Sequence, residues 1–294
     1  MRILLTGAAG QVGQEVVRQA SAPGVEVVPT DVAELDITSL QAVEVAIARH
    51  RPQLVINAAA YTAVDRAESE DERALVFAVN RDGPAHLAQS CAVHGIPLFH
   101  ISTDYVYDGS GQTPWRESDP TGPLGAYGLS KLEGDSAVIA ALPAHLILRV
   151  SWVFSAHGQN FVKTMLRLGK EREELRVVAD QVGGPTSASD IAAALLDLAR
   201  RYHEQGTLPW GLYNFCGEPV TSWHGFAEEI FAQARQRTEL KIRSVIPIAT
   251  ADYPTPARRP ANSRLDTTLA RTRLGLSIPD WRVSLNTVLH ELIP

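Results

Sequence analysis

The sequence predicts an α/β fold, a doubly wound parallel sheet with a smaller C-terminal lobe, and three observations carry that reading. Short apolar runs alternate with helix-forming stretches through the first half of the chain, the pattern of a parallel sheet with helices on both faces. A glycine-rich turn follows the first apolar run and opens a helix. The second half breaks into shorter elements at Gly183-Gly184-Pro185-Thr186, Tyr253-Pro254-Thr255-Pro256 and Arg258-Arg259-Pro260, the texture of an appended lobe. At 294 residues the chain is longer than one typical domain. The expected division is a sheet domain over 1–149, with later elements near 175–205 packing back onto it, and a lobe made mainly from 150–294.

In chain order, Arg2-Ile3-Leu4-Leu5 reads as a buried strand. Gly7, Gly10 and Gly13 punctuate the turn, and Gln14–Ala20 has helical composition. Glycines let a backbone approach a pyrophosphate, and a helix N-terminus favours its negative charge. The spacing Gly-x-x-Gly-x-x-Gly is looser than the usual dinucleotide fingerprint, so a flexible turn before a helix is the competing reading. A second strand, Val25–Val28, leads to Asp31, placed to accept hydrogen bonds from an adenosine ribose and to repel a 2′-phosphate; a solvated turn residue is the alternative.

A helix follows near Ser39–His50, then the strand Leu54–Asn57, helices near Val64–Val79 and Gly83–His94, the strand Leu98–Ile101, a helix over Tyr127–Ala140 and the strand Leu146–Val150. Ligands of such sheets lie outside the carboxyl ends of the strands, where Asn57–Thr62, Ser102-Thr103-Asp104 and Ser151-Trp152 fall. Further helices are expected near Asn160–Glu173, Ser187–His203 and Ser222–Arg237.

The chemistry is carried by Tyr127 and Lys131. Four residues apart on a helix, they share a face. A phenol has a pKa of about 10, and a neighbouring cation lowers it by stabilising the phenolate. That pair is a proton donor usable near neutral pH, with the Thr103 hydroxyl placed to hold an oxygen being reduced. Trp152, directly after a strand, is as often core as ligand contact. Arg258, Arg259 and Arg264 offer guanidinium groups that bind a diphosphate in bidentate fashion, although surface arginines are the commoner case.

A formal net charge of −6 and a pI near 5.9 argue against a nucleic-acid or membrane-surface binder. No apolar run approaches a membrane span, and Gly7 interrupts the N-terminal apolar stretch too early for a signal peptide. Cys91 and Cys216 have no metal-type spacing and fit a reducing cytoplasm. The histidines show no paired metal spacing.

Together the glycine turn, Asp31, Asn57-Ala58-Ala59-Ala60, Ser102-Thr103-Asp104 and Tyr127-x-x-x-Lys131 resemble the extended short-chain dehydrogenase/reductase family, whose nucleotide-binding unit is a Rossmann domain. More narrowly, segments from Thr6–Gly13 to Arg259–Leu265 resemble its branch of dTDP-4-dehydrorhamnose reductases. The resemblance implies NADH- or NADPH-dependent reduction of the 4-keto group of dTDP-4-dehydro-L-rhamnose to dTDP-L-rhamnose. By carry-over Thr103, Tyr127 and Lys131 are catalytic. The cofactor is expected at Gly7, Gly10, Gln11, Val12, Gly13, Asp31, Asp36, Ile37, Ala60, Tyr61, Thr62, Tyr127 and Lys131, and the dTDP-sugar at Thr103, Asp104, Trp152 and Arg259.

Relatives of this kind form dimers in which glutamates of both subunits surround Mg²⁺. Two of those positions match Glu15 and Glu291, but the third is Ser189, beside Asp190. The expectation is therefore no required metal and a monomer or weak homodimer, with repulsion between Glu15 and Glu291 opposing association if they cluster. The rival activities are a reductase, epimerase or dehydratase acting on another 4-keto sugar nucleotide, or a regulatory subunit resembling that of methionine adenosyltransferase. A dehydratase requires a carboxylate where this chain has Tyr105.

Overall fold

Strands buried along both faces need apolar residues at consecutive positions, and the first half of the chain supplies them. The computed structural model describes residues 1–20 and 24–293. Its first half runs β1 (Arg2–Thr6), α1 (Gln11–Gln19), β2 (Glu26–Thr30), α2 (Leu40–His50), β3 (Leu54–Asn57), α3 (Glu70–Phe77), α4 (Gly83–His94), β4 (Leu98–Thr103), α5 (Ala126–Ala141) and β5 (His145–Val150). The lobe half adds β6 (Val153–Phe154), α6 (Phe161–Glu171), β7 (Glu174–Val178), β8 (Val182–Gly183), β9 (Thr186–Ser187), α7 (Ala188–Gln205) and β10 (Gly211–Asn214). It ends with β11 (Thr221–Ser222), α8 (Trp223–Ala234), β12 (Ser244–Ile248), β13 (Asn262–Ser263), α9 (Thr268–Leu274) and α10 (Trp281–Leu292).

The main sheet has six parallel strands in the order β10-β5-β4-β3-β1-β2. After β2 the chain crosses to the other side of β1, and that reversal opens a crevice at the carboxyl ends of β1 and β3. Side chains alternate across the sheet. Ile3 and Leu5 pack with Leu195 and Leu198 of α7 on one face, and Leu4 packs with Val43, Ile47 and Leu87 of α2 and α4 on the other. A separate core of Phe154, Phe226, Phe231 and Trp281 holds the lobe.

Two expectations change. The helices expected over Val64–Val79 and Gly83–His94 are joined: a short 3₁₀ turn at Arg66–Glu68 precedes α3, and a π-helical segment, Ala78–Asp82, links α3 to α4. Of the segment 175–205 expected to return to the sheet, only α7 does so. β7 pairs with β12 in the lobe, while β10 joins the main sheet and Ala270 and Leu274 of α9 join the core beneath it. Where helix starts match the sequence reading, side-chain caps explain them. Ser39, Asn160, Ser187 and Ser222 each accept a hydrogen bond from a backbone N–H of the first turn. Among the described residues no helix is long and apolar enough to cross a membrane.

Candidate active site

The crevice begins at the glycine turn, where missing side chains decide the shape. Gly7 has a φ of +69°, a left-handed conformation that favours glycine, and a Cβ there would lie 2.5 Å from the Ala59 nitrogen. A Cβ on Gly13 would lie 2.1 Å from the Gly7 carbonyl oxygen, so glycine is what lets α1 start against the turn. Beside the turn lies a cleft of about 300 Å³, lined in part by Gly7, Gly10, Asp31, Asp36, Ile37 and Ala60. A backbone-lined cleft at a helix start, with a carboxylate on its wall, fits a dinucleotide. Asp31 also braces the turn, because its Oδ2 accepts from the Ala9 N–H at 2.9 Å.

The remaining residues expected at the cofactor are placed differently. Val12 is buried in the core, leaving only its backbone to the crevice. The Gln11 side chain crosses to the lobe, where its Oε1 accepts from the Ser155 hydroxyl and from Asn160 Nδ2. Thr62 is exposed, and neither it nor Tyr61 lines the cleft. Tyr61 is instead tied to Asn80, whose Oδ1 accepts from the Tyr61 N–H at 2.8 Å. Asn80 Nδ2 donates to the Tyr61 carbonyl and to the Ser130 hydroxyl on α5. Asn80 is fully buried, lies in the π-helical segment and was not singled out in the sequence; only the structure shows that this segment clamps α5 to the Tyr61 loop.

At the other end of the crevice α5 lies against the end of β4. Gly128 and a glutamate permit this, and Gly134 lets the other side of α5 approach the π-helical segment. A Cβ on Gly128 would sit 2.2 Å from the Tyr105 carbonyl oxygen, and one on Gly134 2.1 Å from that of Asn80. Glu68 accepts from the Ala126 N–H at 2.8 Å, capping the first turn of α5 with a negative charge. The close contact brings Tyr127 to Thr103, and one helical turn on it sets Lys131 against the backbone of β4. Burial pushes the Tyr127 phenol up to about 12, with Asp104 and Asp135 adding to the rise and a hydrogen bond with Thr103 opposing it. This corrects the direction expected from the Tyr-x-x-x-Lys spacing. Desolvation of the phenolate outweighs its stabilisation, and the Lys131 ammonium is engaged elsewhere.

Lys131 is 2% exposed. Its Nζ donates to the Ile101 carbonyl at 2.7 Å and lies 3.3 Å from His100 Nε2. Burial pushes the amine down to about 8, while Asp135 pulls it back up. The tautomer of His100 follows from its partners. The Ala59 N–H can only donate, so the Asn57 atom it meets at 3.1 Å is the carbonyl oxygen, which also accepts from the Thr6 hydroxyl at 2.7 Å. Asn57 must therefore present its NH₂ to His100 Nδ1, at 3.0 Å, making Nδ1 an acceptor. Burial and the nearby Lys131 hold His100 neutral, so its proton sits on Nε2, facing Lys131. The Asn57-Ala-Ala-Ala segment thus bears on helix α5, through His100 and Lys131, as well as on the cleft.

Asp104 is buried behind Thr103, whose hydroxyl donates to it at 3.2 Å, and burial raises it to about 6 against the hydrogen bonds from Ser263 and Thr103. Its Oδ2 has no protein partner. Trp152 has a φ of +49° and stacks on Trp223 with ring centroids 3.7 Å apart, leaving it 9% exposed. A non-glycine residue there is strained, a feature that concentrates at functional sites. Of the three arginines only Arg259 approaches the site. It pairs with Asp65 at 2.8 Å and lies near Tyr105, whose ring meets the Tyr127 ring edge-on at 5.5 Å. Arg258 is exposed, and Arg264 donates to the Gln112 carbonyl.

Glu15 and Glu291 do approach one another, with a companion that sequence reasoning missed. Ligand atoms of Glu15, His157 and Glu291 lie within 4.8 Å of each other. Arg18 stands among them, 2.6 Å from Glu15 and 3.7 Å from Glu291. The expected repulsion between the two carboxylates is thereby offset within the chain. Asp190 turns away and accepts from the Ser284 hydroxyl at 2.6 Å.

Residues 1–293 match the model of the RmlD substrate binding domain. A dTDP-4-dehydrorhamnose reductase of Sinorhizobium fredii is 44% identical over 294 residues, covering 100% of this chain and 98% of that protein. The crystal structure of a dTDP-4-dehydrorhamnose reductase from Clostridium acetobutylicum superposes with a TM-score of 0.92 at 39% identity, over 99% of each chain. That of the Bacillus anthracis enzyme, in complex with NADP, has a TM-score of 0.91 at 34% identity, again over 99% of each.

Proposed function

The chain belongs to the RmlD substrate-binding family, and from that premise we propose that it catalyses the NAD(P)H-dependent reduction of the 4-keto group of dTDP-4-dehydro-L-rhamnose to dTDP-L-rhamnose. The single observation that carries the reading is that a dinucleotide-shaped cleft and the residues Thr103, Tyr127 and Lys131 lie along the carboxyl-end edge of one parallel sheet. The cofactor supplies a hydride when bound. Gly7, Gly10 and Gly13 give it backbone to lie on, Asp31 faces its adenosine ribose, and Lys131 holds the nicotinamide ribose. The Thr103 hydroxyl orients the substrate's keto oxygen, and Tyr127 donates its proton to the oxygen as negative charge develops there. A phenol at about 12 stays fully protonated at neutral pH, which suits a donor to an alkoxide.

Asp104 and Trp152 face the sugar, and Arg259, released from Asp65 or shared with it, reaches the diphosphate. Dehydration is disfavoured because Tyr105 places an aromatic ring, rather than a carboxylate, against Tyr127. Residues 1–149, with α7, β10 and α9 packed back onto them, form the cofactor domain, and the rest of 150–294 forms mainly the substrate lobe. The protein works in the cytoplasm as a monomer or weak dimer without a required metal, a reading supported by Arg18, which offsets part of the charge of the Glu15–Glu291 pair. Two measurements test this. Oxidation of NADH and NADPH is followed against a panel of 4-keto sugar nucleotides and must be fastest with the dTDP-4-dehydrorhamnose substrate; the absence of turnover with every member overturns the assignment. Solution mass with and without EDTA must show no metal-dependent dimer, and loss of both dimer and activity on chelation would reject the metal-free reading.

A further inference from the structure

We propose that Asp135 is a positioning residue for Lys131: its carboxylate, held beside His100, is the counter-charge that keeps the buried lysine a charged ammonium. This rests on the roles given to Tyr127 and Lys131 above. Tyr127, Lys131 and Asp135 occupy successive i, i+4 positions of α5 and form one stripe facing β4. An ammonium buried as deeply as Lys131 needs a counter-charge to remain ionised. The titratable or charged groups on the elements packed around it are Tyr127 and Asp135 from α5, His100 from β4, Asp104 from the turn that follows β4, and Arg149 from β5. Asn57 of β3 and Thr6 of β1 bring only neutral groups.

Elimination leaves Asp135. His100 is neutral and turns its Nε2–H toward Lys131, donor against donor, so it opposes the ammonium and supplies no negative charge. Asp104 is held by Thr103 and Ser263 at the substrate side of the pocket. Arg149 has the wrong sign. Asp135 is 1% exposed, and its Oδ2 accepts from Ser102 at 2.9 Å and from Arg149 at 3.2 Å. Its Oδ1 has no hydrogen-bond partner and lies 3.8 Å from His100 Nε2. His100 Nε2 therefore has the lysine nitrogen on one side and an unsatisfied carboxylate oxygen on the other, with no hydrogen bond to that oxygen. Ser102, Arg149 and the locked imidazole fix where that oxygen points, and the charge that favours the ammonium comes with it.

The test is the pH profile of kcat for Asp135→Asn, which keeps the side chain's size and an acceptor for Ser102 and Arg149 but removes the charge. Without the carboxylate, Lys131 gives up its proton at lower pH, so the alkaline limb moves acidward by about one pH unit or more, as an opposite charge at short range implies. Asp135→Glu, retaining the charge, returns the limb toward the wild-type position. A uniform loss of kcat at every pH with the limb unmoved overturns the proposal. Should Asp135→Asn fail to fold, the double variant Asp135→Ala, Arg149→Met removes the buried pair together. It is read on the same limb, where an acidward shift supports the proposal and an unmoved limb rejects it. Tyr127→Phe is run alongside. If it keeps full turnover, the underlying catalytic reading fails; if it loses turnover while the limb of Asp135→Asn stays in place, only this inference fails.

Discussion

The two ends of the crevice are built by opposite means. At the glycine turn the site consists of what is left out: backbone approaches backbone because Gly7 and Gly13 carry no side chain. At the contact between α5 and β4 it consists of side chains that are costly to bury, with Lys131, Asp104, Asp135 and Arg149 all withdrawn from water. The first end depends on shape and tolerates little added volume. The second depends on charge, and shape-preserving changes there still alter the chemistry.

The strongest way to break this comparison is at Tyr127. Tyr127→Phe keeps the ring against Tyr105 and removes only the proton donor, so kcat falls by about 10²–10⁴-fold, the usual contribution of a general acid. Cofactor affinity, measured by fluorescence titration with NADH, stays close to wild type. A variant whose main defect is affinity would place Tyr127 at the wrong end of the crevice.

The glycine end is broken by volume. Gly13→Val puts a Cβ where the Gly7 carbonyl stands. Overpacking of this kind costs about 1–3 kcal/mol. If the distortion falls on the bound state, the dissociation constant for NADH rises by roughly 10–100-fold, since 1.4 kcal/mol is tenfold. kcat at saturating cofactor changes less than the affinity does. Equal losses in both would show that the turn and the catalytic helix move as one body.

Lys131 sharpens the contrast, because its burial opposes stability. Its folded-state pKa lies at about 8, below the unfolded value of 10.5, so folding disfavours the charged form. The cost is fully present below about pH 8 and fades as pH rises toward 10.5. Because Asp135 keeps its pairing with Arg149, Lys131→Met leaves no uncompensated charge behind; it abolishes most turnover yet raises stability at pH 7 by about 1–3 kcal/mol, read from denaturant unfolding. The gain must shrink as pH rises above about 8. A destabilised variant would mean that the bond to the Ile101 carbonyl outweighs the desolvation of the charge.

The same contrast explains what was legible in the sequence. The glycine turn, the strands and most helices are local: their signals are apolar runs, glycines and capping residues a few positions apart, and they appear where expected. Tyr127 and Lys131 were legible because a helix repeats on itself. The groups that tune them were not. Asn80 matters because a π-helical segment turns it toward Ser130, and His100 matters because Ala59 and Asn57 fix its proton. Those relations join residues distant in sequence. The direction of the Tyr127 shift was misread for the same reason, since spacing shows which charge is near but not how much water has been removed. Arg18 was also missed, although it lies one helical turn after Glu15 and an i, i+3 search for its partner would have found it.

The smallest expected effect is at Asp31, where the glycine end borrows a charge. Asp31 does two things in the structure: it accepts from the Ala9 N–H, which holds the turn, and it puts a negative charge on the cleft wall. Asp31→Ala would remove both and confuse them. Asp31→Asn keeps a carbonyl oxygen for Ala9 and removes only the charge. Two unit charges about 4 Å apart in water interact by about 1 kcal/mol, so relief of repulsion toward a 2′-phosphate is worth roughly fivefold. The ratio of kcat/KM for NADPH to that for NADH should rise by about this factor at low salt and by less at high salt, because exposed charges are screened. The wild type should use NADH at least as well as NADPH. An unchanged ratio in Asp31→Asn would mean that the carboxylate serves the Ala9 turn alone, and that the glycine end works by shape throughout.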